Sequence, residues 1–203
     1  MAKQNLEVIL NKVKAPYKES TEKALQNFIN TYGGIRGFEE NETMQKMTKN
    51  EVSKINTLDK EKITAYLEVL GASNQCQEVD YVAKNLPKIL SYLNNEQSSK
   101  YADLMKRIKS VVNTSIIEIT AGDIANYIDS INDNNFARYL EILNTANQVG
   151  KICNVVERNE YWLTQATDKD YNDYKKTLIK ELAKYKNEKS KEKSGSLFSK
   201  LSK

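Results

Sequence analysis

Apolar residues recur at helical spacing along almost the whole chain. Leu6, Ile9, Leu10 and Val13 stand at i, i+3, i+4 and i+7, and Pro16, which cannot continue a helix, closes that element. A second stripe of Ala24, Leu25, Phe28, Ile29 and Tyr32 ends at Gly33-Gly34, where a helix C-terminus favours a residue free to take positive φ. Residues 35–47, "IRGFEENETMQKM", are polar and irregular, and predict a loop or a short helix. Thr48 with Glu51 has the form of a capping box for a short helix through Ile55. Asp59 is placed to cap a helix holding Ile63, Tyr66, Leu67 and Leu70, stopped near Gly71. Val79, Val82, Ala83, Leu86, Ile89, Leu90 and Leu93 form the next stripe, and Pro87 inside it predicts a kink or two abutting helices.

Tyr101, Leu104, Met105, Ile108, Val111 and Val112 lie on one helical face, with Lys100, Asp103, Lys106 and Arg107 opposite. "SIIEI" (Ser115 to Ile119) is the one strand-like run, with nothing elsewhere to pair with. Thr120 and Asp123 repeat the capping-box pattern and predict a helix start before Ile124, Tyr127, Ile128 and Ile131. "NDNN" at 132–135 breaks that helix. Phe136, Leu140, Leu143, Val149, Cys153 and Val156, widened by Ile142, Ile152 and Val155, then predict one long buried helix with Gly150 inside it. Thr167 and Asp170 open the last helix, whose face is Tyr171, Tyr174, Leu178, Leu182 and Tyr185. The pattern predicts an all-α, irregular helical bundle of seven to nine helices. Its body spans residues 1–185, as one domain or as two subdomains meeting near 113–120.

After Tyr185 the stripe gives way to "KNEKSKEKSGSLFSKLSK". Residues 186–203 have the composition of a flexible, basic tether, and Leu197, Phe198 and Leu201 carry its apolar weight. Those three can fold back on the body, dock into a partner's groove, or touch an anionic membrane or nucleic acid. Burying each would contribute about 1.5–3 kcal/mol before ordering costs.

Composition narrows the chemistry. The chain has 203 residues, 39% hydrophobic and 29% charged, which suits a globular protein with one sizeable core or two small ones. Seven Gly and two Pro argue against a turn-rich sandwich or barrel. No apolar run approaches the roughly 20 residues of a membrane span, and "MAKQNLEVILNKVK" is too interrupted for a signal peptide, so a cytoplasmic location, or the interior of a virus-like particle, is expected. Cys76 and Cys153 lack local partners and are expected as buried thiols. The chain contains no histidine, which removes Ser-His and Cys-His nucleophile pairs and imidazole metal ligands. Charge is uneven: residues 1–174 hold 21 Lys/Arg against 24 Asp/Glu, whereas residues 175–203 hold 10 Lys against 3 Glu. Attraction to nucleic acid or an anionic surface therefore belongs to the C-terminal end.

Individual motifs add little. The glycines of "YGGIRGF" (Tyr32 to Phe38) follow a helix, whereas a phosphate loop needs them to lead into one. Ser20 and Lys23 match S-x-x-K without the companion motifs of that chemistry. Glu39, Glu40 and Glu42, and Glu157 and Glu160 around Arg158, lack Ca²⁺-loop spacing, and a chain without histidine cannot build Glu-x-x-His di-iron sites. Twelve tyrosines could stack bases, yet Tyr66, Tyr101, Tyr127, Tyr171, Tyr174 and Tyr185 fall on the apolar stripes and fit packing. Trp162 is expected as a core plug or an interface anchor.

The segment "ITAGDIANYIDSINDNNFARYLEILNTANQVGKI" (Ile119 to Ile152) resembles the helical core-binding domain of tyrosine recombinases, without the catalytic domain or histidine of that family. "SLF" (Ser196 to Phe198) is similar to the Leu-Phe end of peptides that bind sliding clamps, without the upstream glutamine. The resemblances imply contact with DNA or its machinery and no enzyme.

The expectation is a non-catalytic adaptor or assembly protein of a bacterium, phage or plasmid. It would bind a protein partner through Leu197, Phe198 and Leu201, with no cofactor and no metal. The alternative is a nucleic-acid-associated accessory protein using Lys184, Lys186, Lys189, Lys191, Lys193 and Lys200.

Overall fold

The computed structural model describes residues 8, 11–14, 18–19, 21–23, 26, 49, 52–73, 76–112 and 115–201, of which 76–77, 79–80 and 188–201 are described for the backbone alone. The protein is all-α, and no strand occurs among the described residues. Its bounded helices are α1 (Lys60–Ala72), α2 (Cys76–Tyr92), α3 (Asn95–Val111), α4 (Ile117–Asn126), α5 (Asp133–Gln148), α6 (Ile152–Val156) and α7 (Asp168–Leu201), with a π-helical turn at Tyr161–Gln165. Helical residues also lie upstream of α1, at 18–19, 21–23 and 52–55 among others. The glycine cluster at 32–38, the acidic run at 39–42 and the Thr48–Glu51 box lie outside the described residues. No helix among the described residues is long and apolar enough to cross a membrane. The chain divides into two compact units, residues 1–128 and 129–203.

The first unit packs α1 against α2 and α3, and α4 against α2 and α3. Tyr66 and Leu70 of α1, Leu86 and Leu90 of α2, and Tyr101, Met105 and Ile108 of α3 are buried in its core. Side chains start the helices: Asp59 Oδ1 accepts from Lys62 N at 2.9 Å, and Asn94 with Gln97 forms a reciprocal capping box at α3. Pro87 sits inside a single helix, α2.

Helix α4 departs from the sequence pattern. It starts at Ile117, three residues before the expected cap, and Thr120 lies inside it with its hydroxyl donating back to Ile116 O at 2.8 Å. The N-terminal amides of Ile116 and Ile117 donate instead to Glu78 Oε1 of α2, at 2.7 and 3.2 Å. Glu78 Oε2 stands 2.8 Å from Lys109 Nζ of α3, an ionic contact rather than a well-directed hydrogen bond. A buried carboxylate from α2 thus supplies the cap, so the "SIIEI" run becomes a helix start and buries Ile116 and Ile117.

In the second unit α5 packs against α6, the π turn and α7. Asn132 Oδ1 caps α5 by accepting from Asn135 N at 2.9 Å, so "NDNN" both ends one element and starts the next. The expected long helix across 136–156 is two helices. Gly150 takes φ 71°, Lys151 N donates to Ala146 O at 2.8 Å and Gly150 N to Asn147 O at 3.3 Å, which is a Schellman stop. That turn resets the helical register. Val155 and Val156 of α6 are buried while Cys153 is exposed and free, correcting the expected buried thiol.

Candidate partner-docking helix

α7 is 34 residues long, about 51 Å at 1.5 Å per residue. Its start is a capping box. Asp170 Oδ2 accepts from Thr167 N at 2.8 Å and from Thr167 Oγ1 at 2.6 Å, and Asp170 N donates to Thr167 Oγ1 at 3.3 Å. Those hydrogen bonds, the Thr167 hydroxyl first, hold the Asp170 carboxyl below its ordinary range.

The first half of the helix is fastened to the rest of the second unit. Tyr171 and Leu178 are buried. Arg138 of α5 grips both oxygens of Asp168, Lys175 pairs with Glu141, and Lys151 Nζ lies 2.7 Å from Glu181 Oε1. The Tyr171 hydroxyl donates to Trp162 O and lies 3.2 Å from Asn135 O. The π turn creates the need for that donor: Ala166 N bonds back five residues to Tyr161 O at 2.8 Å, which leaves Trp162 O without its intrahelical amide. Burial pushes the Tyr171 phenol up to about 12.

An aromatic cluster forms the root of α7. The Trp162 ring lies 5.1 Å from Tyr161, 5.3 Å from Tyr171 and 5.0 Å from Tyr174, centroid to centroid. At 2% exposure Trp162 is a core plug. Arg158 stacks over the Tyr161 and Trp162 rings at 4.6 and 5.5 Å. The sequence pattern placed Arg158 among acidic neighbours; its i, i+3, i+4 spacing to Tyr161 and Trp162 carried the stacking signal.

Beyond Leu182, residues Ala183, Lys184, Tyr185, Lys186 and Asn187 are exposed. The backbone nevertheless stays helical through Leu201, across the segment expected as a tether. Lys and Glu are good helix formers, and Gly195 carries the largest single penalty, about 1 kcal/mol, beside smaller ones at the serines. At about 100° per residue, the row of Tyr171, Leu178 and Leu182 continues into Lys186, Lys189, Lys193 and Lys200. A row of lysines does not extend the apolar contact that Tyr171 and Leu178 make. A neighbouring row runs through Ile179, Ala183 and Asn187 to positions 190, 194, 197 and 201, in steps of three and four, and none of these positions is charged. Ile179, 50% exposed, begins this row, and Leu197 and Leu201 end it, with Phe198 on its flank.

Of the residues expected to meet a partner, Lys184 and Lys186 are exposed on α7. Lys189, Lys191, Lys193, Leu197, Phe198, Lys200 and Leu201 are placed by their helical backbone alone. No group of three or more Cys, Asp or Glu side chains that could hold a metal ion occurs among the described residues. No family model matches the chain. Neither a curated protein nor a solved structure matches it.

Proposed function

We propose that this protein is a helical adaptor or assembly component that docks a partner through the C-terminal half of α7, with Leu197, Phe198 and Leu201 as the apolar contacts. The carrying observation is that residues 183–187 of α7 are exposed while its helical backbone continues to Leu201. A helix anchored along its first half by three ion pairs and a buried aromatic root, and exposed at residues 183–187, favours an outward contact over a fold-back. The uncharged row ending at Leu197 and Leu201 supplies a seam between lysine-bearing positions, a pattern suited to a helix-in-groove contact. The reading assigns no catalysis, and its setting is cytoplasmic, as a component of a bacterium, phage or plasmid.

A second reading rests on the lysine row. Lys186, Lys189, Lys193 and Lys200 share one line of the helix, a spacing suited to following phosphates.

The two readings are tested together by comparing the full chain, a chain ending at Asn187, and the Leu197→Ala/Phe198→Ala variant. Docking predicts that both changes abolish co-purification of one specific partner from extracts of the native host, with the melting temperature unchanged. A lowered melting temperature in the double variant would refute it, because the tail would then be core. DNA binding through the lysine row predicts a log–log salt slope of about −3.6 for four phosphate contacts on duplex DNA, lost on truncation. Salt-insensitive binding, or none, removes that second reading.

A further inference from the structure

Arg158 stands apart from the other described arginines. Arg138 holds Asp168, and Arg107 lies 3.6 Å from Asp103. Arg158 is exposed, and its guanidinium is committed to two ring faces, with no carboxylate or carbonyl acceptor among the described residues. Stacking uses the faces of the guanidinium and leaves its edge, a fork of N–H donors, unspent.

The base beneath that fork is rigid. Trp162 is buried, wedged between Tyr171 and Tyr174, and fixed by a π turn whose spare carbonyl is held by the Tyr171 hydroxyl. Tyr161 hydrogen-bonds to the Asp170 carboxylate of the α7 capping box. A planar fork set in place before binding loses little entropy when it takes a planar oxyanion.

The surroundings select which oxyanion. Glu157 and Glu160 are exposed on either side of Arg158 in sequence. Repulsion from these two glutamates grows with the charge of the ligand, so it weighs more on a polyphosphate than on one carboxylate, and least on a carboxylate flanked by basic residues. Tyr161 and Tyr174 are half-buried, and offer ring area to an apolar neighbour of that carboxylate.

We propose that Arg158, stacked on Tyr161 and Trp162, is a binding site for a single carboxylate carried on an apolar or basic peptide segment of a partner protein. This site does not depend on docking through the α7 tail and survives if that reading fails.

Trp162 is the chain's one tryptophan and lies beneath Arg158, so its fluorescence senses binding at this site. The full chain is titrated with a blocked Lys-Glu-Phe-Lys tetrapeptide, with the same peptide carrying Gln for Glu, with inorganic phosphate, and with a single-stranded oligodeoxynucleotide. The expected result is a saturable fluorescence change with the Glu peptide and at least tenfold weaker binding of the other three. Arg158→Lys keeps the charge and loses the fork. It should weaken the Glu peptide at least tenfold with the melting temperature unchanged. No response to the Glu peptide, an equal response to the Gln peptide, or full binding by Arg158→Lys overturns the site. Tighter binding of phosphate or the oligonucleotide overturns the ligand class.

Discussion

Glu78 holds three helices at one point, and replacing it by Gln tests that arrangement sharply. The substitution preserves shape and an acceptor for the Ile116 and Ile117 amides, but turns an amide donor or a neutral oxygen toward the Lys109 ammonium. Glu78 is fully buried and the Lys109 side chain is 4% exposed, so water cannot replace the lost charge. Removing the charge of one member of a buried pair costs up to about 3–5 kcal/mol. Weakening two amide bonds to a charged acceptor adds about 1 kcal/mol. Set against the roughly 5–15 kcal/mol stability of a typical domain, that loss would bring the first unit close to unfolding. Lys109→Met should also destabilise, by about 3 kcal/mol, because Glu78 keeps its two amide donors. The double variant should be less damaging than the two losses added, by about 1–3 kcal/mol, since neither charge is then stranded. Denaturant unfolding followed by far-UV circular dichroism measures the loss, while Trp162 fluorescence reports the second unit by itself. If Glu78→Gln shifts stability by less than about 1 kcal/mol, or if the two single losses simply add, the cap-and-pair account of α4 is wrong.

Two further outcomes concern the second unit. Leu178→Ala removes a buried side chain between α7 and α5 and should cost about 2–5 kcal/mol, read as a lower midpoint in the Trp162 fluorescence transition. An unchanged midpoint would mean that α7 is not seated there. The Tyr171 phenol is raised from 10.0 to about 12 in the folded protein, so its stabilising contribution is complete below pH 10 and is lost as pH rises from 10 to 12. The loss is about 2–3 kcal/mol, and Tyr171→Phe, compared with the parent in an alkaline titration, should show a correspondingly shallower decline. Identical pH profiles would show that Tyr171 titrates normally.

The sequence carried the all-α class, because stripes at 3.6-residue spacing appear wherever a helix has one apolar face. It also carried the local stops and starts that a single segment can make for itself: Asp59 before α1, "NDNN" before α5, and the Thr167–Asp170 box before α7. Each of these depends on residues three or four apart, so the chain writes them down directly. Gly150 was equally visible, but a helix interior and a Schellman stop share the same glycine; only the backbone, at φ 71°, separates them. Cys153 was misplaced for that reason, since the stripe was extended across a turn that rotates it outward.

Tertiary structure alone decided where α4 begins. The cap comes from Glu78, 38 residues before Ile116, and no local pattern encodes an acceptor at that distance. The stacking of Arg158 had a local trace in its spacing to Tyr161 and Trp162. That its fork is unspent depended on where Asp168, Asp170 and Glu181 had already found partners. The same holds for α7: composition marked residues 186–203 as basic and tail-like, but only the tertiary structure shows a helix packed on α5 and exposed at residues 183–187. Local spacing fixes the elements, because helical hydrogen bonds and caps are short-range. The sites follow from which polar groups remain unpaired once the elements meet, and that sum can be taken only in three dimensions.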